Sequence, residues 1–252
     1  MQTYLSLGAN AIEPDINVFS SGELCVDHGP KLWSGPSPDS APSLVKYLTE
    51  LRTVALDFRN LSLVYFDCKP PVAKAGHGAD LLEAIRTQLI GDGRDRLNLS
   101  VIISVADLSE QLIFQNIAGD LRPGEALMID QDNDPGAVCK LFTDLRARKQ
   151  CFSNGISVEN GESWLAPHIR SSIEQACALR ASGRISLVTT WTVNDADLMS
   201  EYIKIGVDGM IVDRAPPWYN PGQGIEALTS LVAREGDSLG IRMATRADSP
   251  FA

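Results

Sequence analysis

Two pairs of residues spaced i, i+2 carry the chemistry of this chain. Glu13 and Asp15 lie in Asn10-Ala-Ile-Glu-Pro-Asp-Ile-Asn-Val18, which alternates as a strand does, so both carboxylates face one side. Asp67 and Lys69 repeat the spacing at the end of Leu61-Ser-Leu-Val-Tyr-Phe-Asp67. Carboxylates gathered at strand ends repel one another unless positive charge sits between them. A hard divalent cation such as Mg²⁺, which takes oxygen ligands, meets that demand. The Lys69 ammonium then suits an anionic group, and a phosphate bridging metal and lysine fits. Plainer readings stand beside these: an edge strand with solvated acids for the first pair, and a surface turn into Pro70-Pro71 for the second.

The chain holds three histidines. His28 follows the carboxylate strand on a short polar loop beside Asp27, and it is the good candidate for a general acid or base. His77, in Gly76-His-Gly78, and His168, after Pro167, read as solvent-exposed. Trp191, in Thr189-Thr-Trp-Thr-Val193, is either core or the wall of a pocket for a quaternary ammonium, which aromatic faces hold well.

The elements that must position these groups alternate in type. Strands are expected over Ala11–Val18, Leu61–Asp67, Leu97–Val105, Ala126–Asp130, Gln150–Ser153, Ile185–Val193 and Gly209–Val212. Helices are expected at Met1–Gly8 (the end of one), Ser43–Asn60, Ala79–Ile90, Ser109–Ala118, Pro135–Arg148, Ala166–Ala181, Asp195–Ile205 and Ile225–Glu235, before an irregular tail. Strands alternating with helices of about three turns make parallel βαβ units. No Gly-x-Gly-x-x-Gly or Walker sequence follows a strand, so an open nucleotide-binding sheet has little support. The expectation is one domain over residues 1–252, a (β/α)8 TIM barrel with one strand fewer than the eight such a barrel needs. Its chemistry would sit at the strand C-terminal ends, where Glu13, Asp15, Asp67, Lys69, Asp107, Asp130, Asn154, Trp191 and Asp213 all fall.

Composition narrows the classes. The chain has 252 residues, 44% of them hydrophobic, which is enough for a core and argues against disorder. A net charge of −10 with no basic run disfavours nucleic acid and anionic lipid surfaces, though not a zwitterionic headgroup. The five cysteines, Cys25, Cys68, Cys139, Cys151 and Cys177, form no CxxC or Cys/His cluster, so structural zinc is not expected and buried reduced thiols are. No apolar run approaches the ~20 residues of a membrane span. The first residues lack the basic and apolar regions of a signal peptide.

Gly8-Ala-Asn-Ala-Ile-Glu-Pro-Asp15, the histidine before Gly29, Val64-Tyr-Phe-Asp-Cys-Lys69, Ile103-Ser-Val-Ala-Asp-Leu108, Asn154-Gly-Ile156, Trp191-Thr-Val193, Gly206-Val-Asp-Gly-Met210 and Ile241-Arg-Met-Ala-Thr245 through Pro250-Phe251 occur in that order. The order resembles the sphingomyelinase D/phospholipase D toxins of spider venoms and their fungal and bacterial relatives, distant cousins of the glycerophosphodiester phosphodiesterases. The resemblance runs nearly end to end. It implies a barrel binding Mg²⁺ through Glu13, Asp15 and Asp67. It implies Lys69 on the substrate phosphate, His28 as acid/base and Trp191 in the headgroup pocket. The implied substrate is a choline lysophospholipid or sphingomyelin, cleaved by intramolecular transphosphatidylation to a cyclic phosphate. Relatives are commonly secreted.

The pattern breaks in places. The family carries a second catalytic histidine on a first strand well before its first metal carboxylate, whereas Glu13 stands only twelve residues after Met1. Three expectations compete here: a truncated chain, another element in the gap, or a silent barrel. Asn194 stands where the toxins carry an acid, Asp213 where they carry asparagine, and Thr189 and Thr190 where they carry pocket tyrosines. The cysteines around Cys25 do not reproduce the toxins' loop disulfide. The rival functional readings are accordingly a silent barrel binding a phosphate ligand or protein partner, and a glycerophosphodiesterase.

Overall fold

A computed structural model of the protein describes residues 1–28, 37–156, 166–212 and 222–251. Its elements follow as α1 (Gln2–Ser6), β1 (Ala11–Ile12), β2 (Asp15–Val18), β3 (Leu24–Val26), α2 (Leu44–Asp57), β4 (Leu63–Cys68), α3 (Pro70–Ala75), α4 (Gly78–Ala84), β5 (Ser100–Val105), α5 (Leu112–Gln115), β6 (Glu125–Ile129), α6 (Pro135–Asp144), β7 (Gln150–Gly155), α7 (Ala166–Ala181), β8 (Leu187–Trp191), α8 (Ala196–Ile205), β9 (Gly209–Met210) and α9 (Gln223–Leu239). The sheet order is β3-β2-β4-β5-β6-β7-β8-β9, with β1 also on β4. Every pairing is parallel except the β2–β3 hairpin.

β1 and β2 are one strand interrupted at Glu13-Pro14. Ala11 pairs with Leu63 and Asp15 with Asp67, the same offset, so register runs straight through the proline. Pro14 has no N–H to give, but its carbonyl accepts from Asp67 N at 3.0 Å. The β strand expected over Ala11–Val18 is therefore present in two pieces. The β3 strand, the short α3 and the π-helical turn Ile85–Ile90 that continues α4 were not expected. The helix expected over Ser109–Ala118 shrinks to a 3₁₀ turn, Leu108–Glu110, and α5.

Strand residues alternate between two apolar layers, as sheets covered on both faces require. Val64, Phe66, Val101, Ile103, Leu127, Ile129, Phe152 and Val188 face the helices. Tyr65, Ile102, Ala126, Met128, Cys151 and Leu187 face the concave side, where Phe251 of the tail packs among them. The tail is anchored by its own turn, in which Asp248 takes both Arg242 nitrogens at 2.9 and 2.6 Å and Thr245 N at 2.7 Å. Arg246 reaches back to Leu61 O at 2.6 Å.

Helix ends follow ordinary capping chemistry. Ser43, Asp134 and Asp195 accept the N–H three residues on, and Pro135 opens α6. Gly206 ends α8 at φ 101°, a conformation glycine takes without penalty.

Among the described residues no strand joins β9 to β1, so the sheet curls into an open half-barrel. The open seam expected from the strand count is present, and other elements stand beside it. Leu7, after α1, packs so closely on the start of α9 that a Cβ at Gly222 would lie 2.3 Å from it. Asn10 Nδ2 donates to Ala244 O of the tail at 2.9 Å.

Candidate active site

The parallel register sets the site. Because Asp15 lies opposite Asp67, the two i, i+2 pairs, far apart in sequence, meet on the concave face at the mouth of the half-barrel. One oxygen each from Glu13, Asp15 and Asp67 lies within 4.8 Å of the others, and all three residues are half-buried. Positive charge does sit between two of them, but it is the chain's own. Lys69 Nζ lies 2.5 Å from both Asp15 Oδ1 and Asp67 Oδ2. Lys69 can reach there because it directly follows β4 and caps the start of α3 at Pro70.

Charge is still in excess. The Glu13 carboxyl is pushed up to about 9, by burial first and by Asp15 and Asp67 next, with Lys69 pulling the other way. Burial also raises Asp67, against the pull of Lys69. Burial disfavours the Lys69 ammonium, yet Asp67 and Asp15 outweigh it and hold its pKa above the ordinary lysine value.

His28 Nδ1 is 2.9 Å from Asp15 Oδ2, on a side chain that is 87% exposed. The carboxylate fixes the Nδ1–H tautomer and leaves Nε2 turned to solvent. The other two histidines are elsewhere. His77, expected as exposed, is half-buried at the start of α4, 3.6 Å from Asp80, while His168 is exposed on α7 as expected. Trp191, at the end of β8, lines the same cleft as Asp15 and Lys69, and its Nε1 donates to Asp130 O at 3.1 Å.

The strand-end polar residues part company. Asp107 caps the turn after β5 by accepting from Ser109 N at 2.7 Å. Asn154 faces outward, where its amide donates to Asp132 O at 2.9 Å and to Ser172 Oγ at 2.8 Å. Asp213 lies outside the described residues. Asp130 does enter the interior, beside Tyr65, Ser104 and Ser153. Burial raises it to about 6, with Asp67 adding to the shift and the Tyr65 and Ser153 hydroxyls opposing it. Tyr65 Oη, Ser104 Oγ, Ser153 Oγ and Asp130 Oδ1 are all buried and come near one another without completing hydrogen bonds among the described residues. Tyr47 of α2 is the residue that strand patterns missed. Its hydroxyl is raised by burial and then by Glu13 and Asp15, so it stands close to the carboxylates. Helical periodicity marks Tyr47 only as a neighbour of Leu44, Leu48 and Leu51.

These side chains border an open cleft of roughly 1080 Å³. The fold is an open (β/α)-barrel with its cleft at the strand C-terminal ends. Solved structures similar in fold include a glycerophosphodiester phosphodiesterase from Parabacteroides distasonis, at 15% identity and TM-score 0.58, covering 91% of this chain and 87% of that one. An Oleispira antarctica phosphodiesterase, solved with its product sn-glycerol-3-phosphate, is similar at 12% identity and TM-score 0.61, covering 92% and 88%. A glycerophosphodiester phosphodiesterase from Agrobacterium tumefaciens is similar at 17% identity and TM-score 0.54, covering 89% of each chain.

The chain belongs to the dermonecrotic toxin SPH family, whose model matches residues 1–251. No curated protein matches it. No helix among the described residues is long and apolar enough to cross a membrane.

Proposed function

We propose that this protein is a Mg²⁺-dependent phosphodiesterase of the phospholipase D type, a single barrel domain over residues 1–252 acting on choline lysophospholipids or sphingomyelin. The observation that carries this reading is the convergence of Glu13, Asp15 and Asp67 at one point, with Lys69 and His28 in contact with the same Asp15. Family and fold support it.

The donor set suits a hard cation. Three carboxylate oxygens lie within 4.8 Å, and Asp15 and Asp67 add to the burial that raises the Glu13 carboxyl, a crowding of charge that a cation would relieve. Glu13, Asp15 and Asp67 would hold it, and when bound it supplies charge neutralisation at a phosphoryl oxygen. Lys69, released by the carboxylates it now bridges, offers its ammonium to a second phosphoryl oxygen. His28, oriented through Nδ1 by Asp15, takes the proton of the substrate's own hydroxyl at Nε2. That oxygen bonds to phosphorus as the phosphorus–oxygen bond to choline breaks. The proton passes from Nε2 to the departing choline oxygen, and the products are a cyclic phosphate and choline. Trp191 stacks its ring against the quaternary ammonium. Secretion, the habit the toxin family suggests, is compatible with the thiols, since all five are buried and unpaired.

Two other readings rest on specific observations. The Oleispira antarctica structure holds sn-glycerol-3-phosphate, which favours hydrolysis of soluble glycerophosphodiesters. His28 is the one histidine at the cleft among the described residues, which favours a silent phosphate-binding barrel. Following lysophosphatidylcholine by ³¹P NMR with Mg²⁺ separates them. Our reading expects a cyclic-phosphate signal that forms about 10²–10⁴ times more slowly with His28→Ala. A linear phosphate monoester would point to hydrolysis instead, and an unchanged spectrum from folded protein would reject catalysis.

A further inference from the structure

Charge is unevenly placed in this protein. The mouth is acidic, whereas the opposite end, where the parallel strands begin, gathers cations. They come from loops that are neighbours because β5, β6, β7 and β8 lie side by side. Arg122 precedes β6, Arg146, Arg148 and Lys149 precede β7, and Arg184 precedes β8. The four arginines are exposed and Lys149 is half-buried, and none of the five has an ion-pair partner among the described residues. The nearby carboxylates are already taken. Arg86 holds Asp120 and Glu125, Lys140 holds Asp144 and Arg180 holds Asp208, each at 2.6 or 2.7 Å.

A cavity of roughly 460 Å³, the size of an ordinary ligand pocket, opens in this end between Arg96, Gly124, Lys149 and the tail at Asp248 and Phe251. Its one carboxylate, Asp248, is satisfied by Arg242 and by Thr245 N. Asp92 and Asp95 share the loop of Arg96 but do not line the cavity. Arg122 and Arg148 are the chain neighbours of the lining residues Pro123 and Lys149. The backbone marks the same end. Arg146, just after α6, has φ 57° and is the one non-glycine with positive φ among the described residues. By contrast α3, α8 and α9 end on Gly76, Gly206 and Gly240 in that conformation. The arginine thus holds its charge in a conformation that glycine takes without steric penalty.

We infer that this basic end is a second binding site, for a small anion carrying two or more phosphoryl groups, seated in the cavity between Arg96 and Lys149. A guanidinium fork and an ammonium suit phosphoryl oxygens, and the unpaired cations around the cavity favour an anion of high charge. A bilayer docked here would turn the mouth away from the lipid. A long polyanion would run past the patch onto a protein whose net charge is −10. The length of a six-residue strand, about 20 Å, separates this end from the mouth, so the site stands independently of the phosphodiesterase reading.

The test is titration calorimetry of inorganic tripolyphosphate into the full chain, with EDTA present to keep divalent cations from the mouth. Binding is expected at low salt and should weaken steeply as salt rises. Arg96→Gln and Lys149→Gln should each weaken it about tenfold or more, the loss of a charge-assisted hydrogen bond. Arg146→Gly should lower affinity while raising the midpoint of denaturant unfolding, a combination that a purely structural role for the arginine does not give. No binding at low salt, or affinity unchanged in both Lys149→Gln and Arg146→Gly, would overturn the site. Binding kept in Lys149→Gln but lost in Lys69→Met would overturn it by moving the anion to the mouth. Association with phosphatidylserine–phosphatidylcholine vesicles but not with tripolyphosphate would overturn it in favour of a lipid surface.

Discussion

Two charged clusters in this protein are built to opposite plans. At the lower, helix-facing side, Arg86 of the π-helical turn meets Glu125 of β6 through Nε and Nη2 at 2.9 and 2.7 Å, and both side chains are buried. Asp120 adds its carboxylate at 2.6 Å and its carbonyl at 2.6 Å, so every guanidinium nitrogen is used. The paired fork geometry satisfies the buried charges, and nothing further is required of that site. At the mouth, three carboxylates share one ammonium and an exposed histidine, and the Glu13 proton is held up to about 9. The first cluster is finished by the fold. The second is left short of positive charge, the condition that a bound cation would relieve.

The contrast can be broken from either side. Arg86→Met strands Glu125 without its partner and should cost about 3–5 kcal/mol, read as a lower midpoint in denaturant unfolding. Phosphodiester turnover per folded molecule should not change. Asp67→Asn should do the reverse. It removes one repelling charge, so metal-free stability should hold or rise, while Mg²⁺ affinity falls by at least about a hundredfold in titration calorimetry, the upper end of what second-shell changes alone cost. A stable fold with undiminished Mg²⁺ affinity would show that Asp67 is not a ligand.

pH sharpens the comparison further. Glu13 rises from 4.5 to about 9 on folding, so between those values the folded chain keeps a proton that the unfolded chain has lost. Metal-free stability should therefore decline as pH climbs through that window, and saturating Mg²⁺ should flatten the slope. Melts at several pH values with and without the ion measure it directly; a slope of the opposite sign would contradict the burial of Glu13. The smallest effect is expected at Trp191. Trp191→Leu should weaken selection of choline over an uncharged headgroup by roughly two- to thirtyfold, with little change for the uncharged one.

Some of this was legible before any tertiary information. Alternating strand-like and helix-like apolar spacings identify βα units, and all seven expected strands are found in the sheet, some shorter than expected. The i, i+2 spacing put Glu13 with Asp15, and Asp67 with Lys69, because side-chain direction along a strand depends on local geometry alone. Other elements had no local signal. β3 is three residues long and exists through its pairing with β2. Asn154 looked equivalent to Trp191 as a strand-end polar residue, yet one points outward and the other lines the cleft. That choice depends on which face the neighbouring strands bury.

What the sequence determined by itself was the inventory: strand periods, the acidic pairs, a histidine shortly after the acidic strand and a net charge of −10. Tertiary structure decided the assembly. It set Asp15 opposite Asp67, brought Lys69 between them, placed Tyr47 and Asp130 nearby, and tucked Phe251 under the interior. Register and burial arise from contacts between residues distant in the chain, and no local spacing encodes the distance at which such residues meet.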